Sequence, residues 1–196
     1  MIEQDNLYPV LKYTAIALGV TFIVWLLYDG VLKDAVEPLQ ANYNRATRDF
    51  KDGRYDYALR SYDAVLQLDP KHEGGLSGKA ASLAMLERYG EALRIYNQLI
   101  REYPNDGIHY ANRGILHDRM GAYKRAIVDY EMAYKMDEDL NKGPSWLTRF
   151  LRNQQETPAT IVARANYLKE QLALPPQEQV LRDPAEDQRQ RPYTRR

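Results

Sequence analysis

Tyr55, Ala58 and Tyr62 recur as Tyr89, Ala92 and Tyr96, and again as Tyr123, Ala126 and Tyr130, each time at an interval of 34 residues. A fixed period of this length belongs to chains that stack one supersecondary unit upon copies of itself. In every copy the alanine and the second tyrosine are four positions apart and so share one helical face. A small residue at that place lets two helices cross at close range, and the tyrosine fills the volume beside it. Gly53 and Gly121 supply the left-handed residue that ends the first helix of a pair, and Pro70 and Pro104 stop the second. Each copy is therefore a helix-turn-helix hairpin. A stack of such hairpins is a docking surface before it is anything else.

Leu39 to Asp139 resembles the tetratricopeptide repeat family. Repeat one matches through Ala46, Gly53, Tyr55, Ala58, Tyr62 and Pro70; repeat two through Ala80, Tyr89, Ala92, Tyr96 and Pro104; repeat three through Tyr110, Gly114, Gly121, Tyr123, Ala126, Tyr130 and Ala133, with no gap between copies. Glu87 stands where the glycine is usual, Glu138 replaces the third proline, and Asn42 and Leu76 occupy a column that is usually aromatic. The resemblance implies an all-α solenoid of three clear repeats over residues 39–139. It also implies a ligand groove along the first helices: Tyr43, Thr47, Phe50 and Lys51 in repeat one, Ser77, Ala81, Ala84 and Met85 in repeat two, Ile108, Asn112, Ile115 and Arg119 in repeat three. Gly74, Gly75, Ser77, Gly78, Ala81 and Ala84 make the middle of that groove small-sided, which leaves room for a partner's backbone. A helix or extended segment fits there, with Tyr43, Phe50 and Met85 as apolar contacts; the protein's own linker or tail is the other candidate occupant. Members that bind chaperone termini clasp a carboxylate with lysine, asparagine and arginine. Here those positions hold Tyr43, Thr47, Gly78, Ile108 and Asn112, so the clamp is absent save one asparagine, and a chaperone C-terminus is a poor candidate.

Beyond repeat three the period fails at Gly143 and Pro144. Pro144 to Gln154 reads as a helix with Trp146, Leu147, Phe150 and Leu151 on one face. Thr157 followed by Pro158 reads as a cap and first helical residue, opening a last helix to Leu174 that carries Ile161, Val162, Ala165, Leu168 and Leu172 at helical spacing. Residues 144–174 are thus expected to cap the open end of the solenoid. Pro175 and Pro176 stop that helix, and 175–196 reads as a polar, extended tail. Its terminal RQRPYTRR is a solubilising tail or a contact for anionic lipid headgroups or an acidic partner.

Near the other end, residues 13–28 are uncharged and apolar, flanked by a tail at 1–12 and a linker at 29–38. As a helix the run rises about 24 Å; adding Val10 and Leu11 and letting Lys12 snorkel brings it to a spanning length. Tyr13 at one end and Trp25 and Tyr28 at the other resemble interfacial aromatic belts. A cleaved signal peptide has a basic leader and an A-x-A-like site, whereas Glu3 and Asp5 precede this run and LYDGVLKDA follows it. A buried soluble helix shows a polar stripe, and none is visible. A single-pass anchor is the expectation. Lys33, Arg45, Arg48, Lys51 and Arg54 on the C-terminal side outnumber Lys12, which favours the repeats in the cytoplasm, with the opposite face as the alternative. Ala15 and Gly19 form a small-xxx-small pair, so a homo-oligomer through this helix is compatible with the sequence.

Twenty-seven basic residues balance 27 acidic ones, leaving no net field to hold a phosphate backbone, so nucleic acid is not an expected partner. With no cysteine, thiol catalysis and thiolate metal sites are excluded. His72, His109 and His117 show no metal spacing and read as surface residues. The carboxylates, among them Glu131 and Asp137 to Asp139, read as turn and solvated-face groups with no pair buried for acid-base work. No glycine-rich phosphate loop follows a strand. Neither an enzyme nor a cofactor is expected. The chain reads as a membrane-anchored adaptor that binds a protein partner and helps assemble an integral-membrane complex, or alternatively as a receptor for transiting polypeptides.

Overall fold

The structure, a computed structural model, describes residues 7–28, 38–142 and 160–182. Among them every regular element is helical. Helix α1 is Leu7–Leu27; α2 (Pro38–Lys51) and α3 (Tyr55–Leu68) form the first hairpin; α4 (Glu73–Met85) and α5 (Tyr89–Glu102) the second; α6 (Gly107–Arg119) and α7 (Tyr123–Met136) the third. A 3-10 turn at Glu138–Asn141, helix α8 (Ile161–Ala173) and a 3-10 turn at Pro176–Glu178 follow. From α2 to α7 each helix packs on the next, while α2 also meets α4 and α4 meets α6. The first helices of the three hairpins therefore share one layer. This is the all-α solenoid the period predicts.

The repeated columns explain why the hairpins close. Ala58, Ala92 and Ala126 are fully buried, and Tyr62, Tyr96 and Tyr130 occupy equivalent interior slots. A Cβ on Gly114 would come within 2.7 Å of the Tyr130 ring, and one on Gly78 would run into the Tyr62 ring. The tyrosines lie over helices stripped to glycine there. Burial pushes the Tyr96 hydroxyl well above its ordinary pKa, and the Tyr130 hydroxyl donates to Asp118 Oδ2 at 3.2 Å.

Each first helix ends in the same turn. Arg54 N–H bonds Asp49 O, Arg88 N–H bonds Leu83 O, and Ala122 N–H bonds His117 O, the long bond of a Schellman motif. Its left-handed residue is Gly53 (φ +77°), Glu87 (φ 59°) or Gly121 (φ +72°). Glu87 adopts a conformation that costs an L-residue about 1–2 kcal/mol, whereas glycine loses about 0.5–1 kcal/mol of extra chain entropy. Glu87→Gly is therefore expected to stabilise the fold by roughly 0.5–1 kcal/mol. Chemical denaturation should show a higher midpoint at unchanged slope.

Helix α1 begins at Leu7, upstream of the Tyr13 start expected from the uncharged run, and carries Lys12 within it. Tyr8–Leu27 is a 20-residue window of mean hydropathy 2.0, none of it buried, and about 30 Å long. That length and composition suit a bilayer crossing. Pro38, expected in the linker, is the first residue of α2, a position where its missing N–H costs nothing.

The expected helix at 144–154 and the expected cap at Thr157-Pro158 lie outside the described residues. The cap of α8 is Thr160 instead, whose Oγ1 accepts from Ala163 N at 3.2 Å. Ile161, Ala165 and Leu168 of α8 join Ala126, Ile127, Tyr130 and Ala133 of α7 in one apolar cluster, covering the end of the stack. The start of the tail is not extended away from the domain. Tyr167 Oη donates to Val180 O at 2.7 Å and Val180 N–H donates to Gln171 Oε1 at 2.7 Å, so the chain doubles back along α8.

Candidate docking face of the first helices

Positions 81, 84 and 85 of α4 and 112, 115, 116 and 119 of α6 follow the three-and-four spacing that puts side chains on one helical face. Where the two faces meet they line a shallow depression whose water-accessible volume is only about 10 Å³, with Tyr96 of α5 among its lining residues. Six of the twelve residues expected in the groove come together here: Ala81, Ala84, Met85, Asn112, Ile115 and Arg119. The wall is aliphatic apart from Asn112 and Arg119. It suits an apolar side chain with a hydrogen-bonding or anionic neighbour.

The other six do not line it. Tyr43 is half-buried, its ring 5.1 Å from that of His72 and 6.1 Å from that of Tyr62. Thr47 Oγ1 donates to Tyr43 O at 2.9 Å, and the Phe50 ring packs edge-on to Tyr55 at 5.3 Å. Lys51 is exposed, while Ser77 and Ile108 are half-buried. The glycines were expected to leave space for a ligand backbone. Instead the protein fills that space itself: Tyr43 covers Gly74, Val65, Leu66 and His72 press on Gly75, and Tyr62 covers Gly78. The free volume lies further along α4 and α6.

Charge is buried behind this face, contrary to the sequence reading of surface histidines and solvated carboxylates. His109, His117, Asp118 and Asp129 are all buried, although Glu131, Glu138 and Asp139 are exposed as expected. Arg113 of α6 makes a two-point bond to Asp129 of α7, at 2.9 and 2.6 Å, and donates to Asn97 Oδ1 of α5 at 2.8 Å. His117 Nδ1 lies 2.8 Å from Asp129 Oδ2. Burial acts to raise the pKa of Asp129, but the hydrogen bonds of His117 and Arg113, with their charge, outweigh it and hold the carboxyl below its ordinary value. Asp118 of α6 likewise receives two bonds from Arg164 of α8, at 2.8 and 2.9 Å, and Arg164 also donates to Leu181 O at 3.1 Å. These partners are 16 and 46 residues apart in the chain. No local spacing announces them.

Comparison with known proteins agrees with this architecture. The tetratricopeptide repeat family model matches residues 49–112. The Hsp70-Hsp90 organizing protein of Triticum aestivum is 31% identical over 75 residues, 38% of this chain and 13% of that protein. The DnaJ homolog subfamily C member 7 homolog of Dictyostelium discoideum is 31% identical over 94 residues, 46% of this chain and 17% of that protein. The chain thus spans only a small part of the length of these relatives. Similar solved structures include the first TPR domain of human RPAP3, at 19% identity and a TM-score of 0.49, over 65% of this chain and 94% of that one. MamA 41-end from Desulfovibrio magneticus RS-1 has 19% identity and a TM-score of 0.49 over 81% and 97%. With residues 49–112 matched by the family model and the repeat columns of all three hairpins in equivalent interior slots, the helical stack is a tetratricopeptide-repeat solenoid, a protein-interaction domain.

Proposed function

We propose that the chain is a membrane-anchored adaptor, holding a segment of a protein partner on the α4/α6 face and so helping to assemble or stabilise an integral-membrane complex. The observation that carries this reading is the wholly uncovered apolar surface of α1, placed about ten residues before a domain with a shallow, aliphatic depression. A stretch of that length reaches at most ~35 Å. Confinement to the membrane raises the effective concentration of the face near other membrane proteins, so modest intrinsic affinity suffices. Lysines and arginines after the helix favour the cytoplasmic side for the repeats.

The relatives named for Hsp70 and Hsp90 raise a chaperone terminus as a ligand. Against it, the clamp positions carry no cation: Tyr43 is turned onto Gly74 and Gly78 lies under Tyr62. An apolar segment suits the face better.

A photocrosslinker at Met85, in native membranes, tests the proposal. The expected product is one integral-membrane protein that also co-purifies in detergent at fixed stoichiometry. Ala84→Arg, which fills the depression, should weaken that association about tenfold or more, equivalent to roughly 1.4 kcal/mol, with helicity unchanged. Association that survives Ala84→Arg removes the α4/α6 face from the proposal. Rapid exchange of many unrelated peptides would identify a receptor for transiting polypeptides instead.

A further inference from the structure

The geometry points to a divalent transition-metal site of the zinc class at the seam between the second and third hairpins, with Glu73, Asp106 and His109 as protein ligands. Glu73 stands in the first turn of α4, Asp106 caps α6, and His109 lies in the first turns of α6. His109 Nε2 is 3.2 Å from Glu73 Oε1 and 3.7 Å from Asp106 Oδ2, and one donor atom from each of the three residues lies within 4.8 Å of the others. A tetrahedral zinc ion with bonds of 2.0–2.1 Å has ligand-to-ligand edges of about 3.3–3.4 Å. The two measured separations bracket that edge.

Orientation is fixed from behind. Asp106 Oδ1 accepts from Ile108 N–H at 2.9 Å, which turns Oδ2 toward the histidine. The Tyr103 ring stands 5.8 Å from the imidazole, and His109 is only 1% exposed. Helix N-termini favour carboxylates on their own account. They do not account for an imidazole buried with one nitrogen facing both. One nitrogen and two oxygens suit zinc and its first-row neighbours better than magnesium or calcium, which take oxygen ligands. Water completes the fourth position. Because the ligands come from two repeats, the ion ties hairpin two to hairpin three.

The test uses the full chain in detergent, chelator-stripped and free of any affinity tag, titrated with zinc chloride in a calorimeter at neutral pH. One zinc per chain is expected, at about micromolar affinity, with a rise in Tm of about 5 °C at a hundredfold excess over Kd; magnesium should do neither. Glu73→Gln and Asp106→Asn should each weaken binding about tenfold or more, and asparagine keeps the helix cap. His109→Gln should abolish it; if that variant does not fold, the other two decide. His72→Gln should leave binding unchanged. Absence of zinc binding below millimolar concentration overturns the assignment, as does binding that ignores Glu73→Gln and Asp106→Asn.

Discussion

Arg164→Met is expected to destabilise the repeat domain by about 3–5 kcal/mol, the cost of breaking a buried ion pair from one side. Methionine matches the volume of the arginine stem, so packing is largely kept. What is lost is the two-point bond that Arg164 makes to the Asp118 carboxylate, which stays buried while still accepting from the Tyr130 hydroxyl. The bond from Arg164 to Leu181 O goes as well, so the returning chain at 174–182 should loosen with α8. Equilibrium unfolding gives the magnitude, and amide exchange should show protection falling first across 161–182. The double variant Arg164→Met with Asp118→Leu removes both charges and should recover most of the loss. A single-variant effect under about 1 kcal/mol would mean that water reaches the pair and the ledger of a buried interaction does not apply.

Gly78→Ala is the second large effect. In an open helix this change is worth about 1 kcal/mol in favour of the variant. Here the new methyl would collide with the Tyr62 ring, itself buried and packed edge-on against Tyr43. Overpacking of that kind costs about 1–3 kcal/mol or more, and the closeness of approach puts this case at the upper end. A net loss of roughly 2 kcal/mol is expected. Gly90→Ala is the control, since a Cβ there meets nothing. In a Tyr62→Leu background Gly78→Ala should turn neutral or favourable, a coupling above about 1 kcal/mol between the two sites. Additive losses would show that the ring is free to move aside.

These two sites also mark what the sequence allowed to be read. Ala58, Ala92 and Ala126 with Tyr62, Tyr96 and Tyr130 were legible because the same packing problem is solved three times at one period, so each copy corroborates the others. Six of the eight residues lining the depression were legible, since Ala81, Ala84 and Met85, and Asn112, Ile115 and Arg119, share faces by helical spacing alone. Gly78 was misread as vacancy because a missing side chain looks the same in a sequence whether a ligand or a tyrosine of the previous hairpin occupies the gap. Asp118 and Asp129 were misread as solvated for a related reason. Arg113 reaches Asp129 only across the third hairpin, and Arg164, the partner of Asp118, lies beyond the last recognisable repeat. Glu87 shows the reverse case, in which the turn overrides the residue: the chain takes the left-handed geometry that glycine takes in the neighbouring copies.

The Arg164–Asp118 pair sets where the lid of the stack can sit. An apolar helix lying on an apolar layer slides with little penalty, because one greasy contact replaces another. Displacing α8 by a single turn, about 5.4 Å, would pull the buried Arg164 guanidinium off the Asp118 carboxylate that it bonds at two points. Helix α8 therefore has one stopping point on α7, keyed rather than merely sticky.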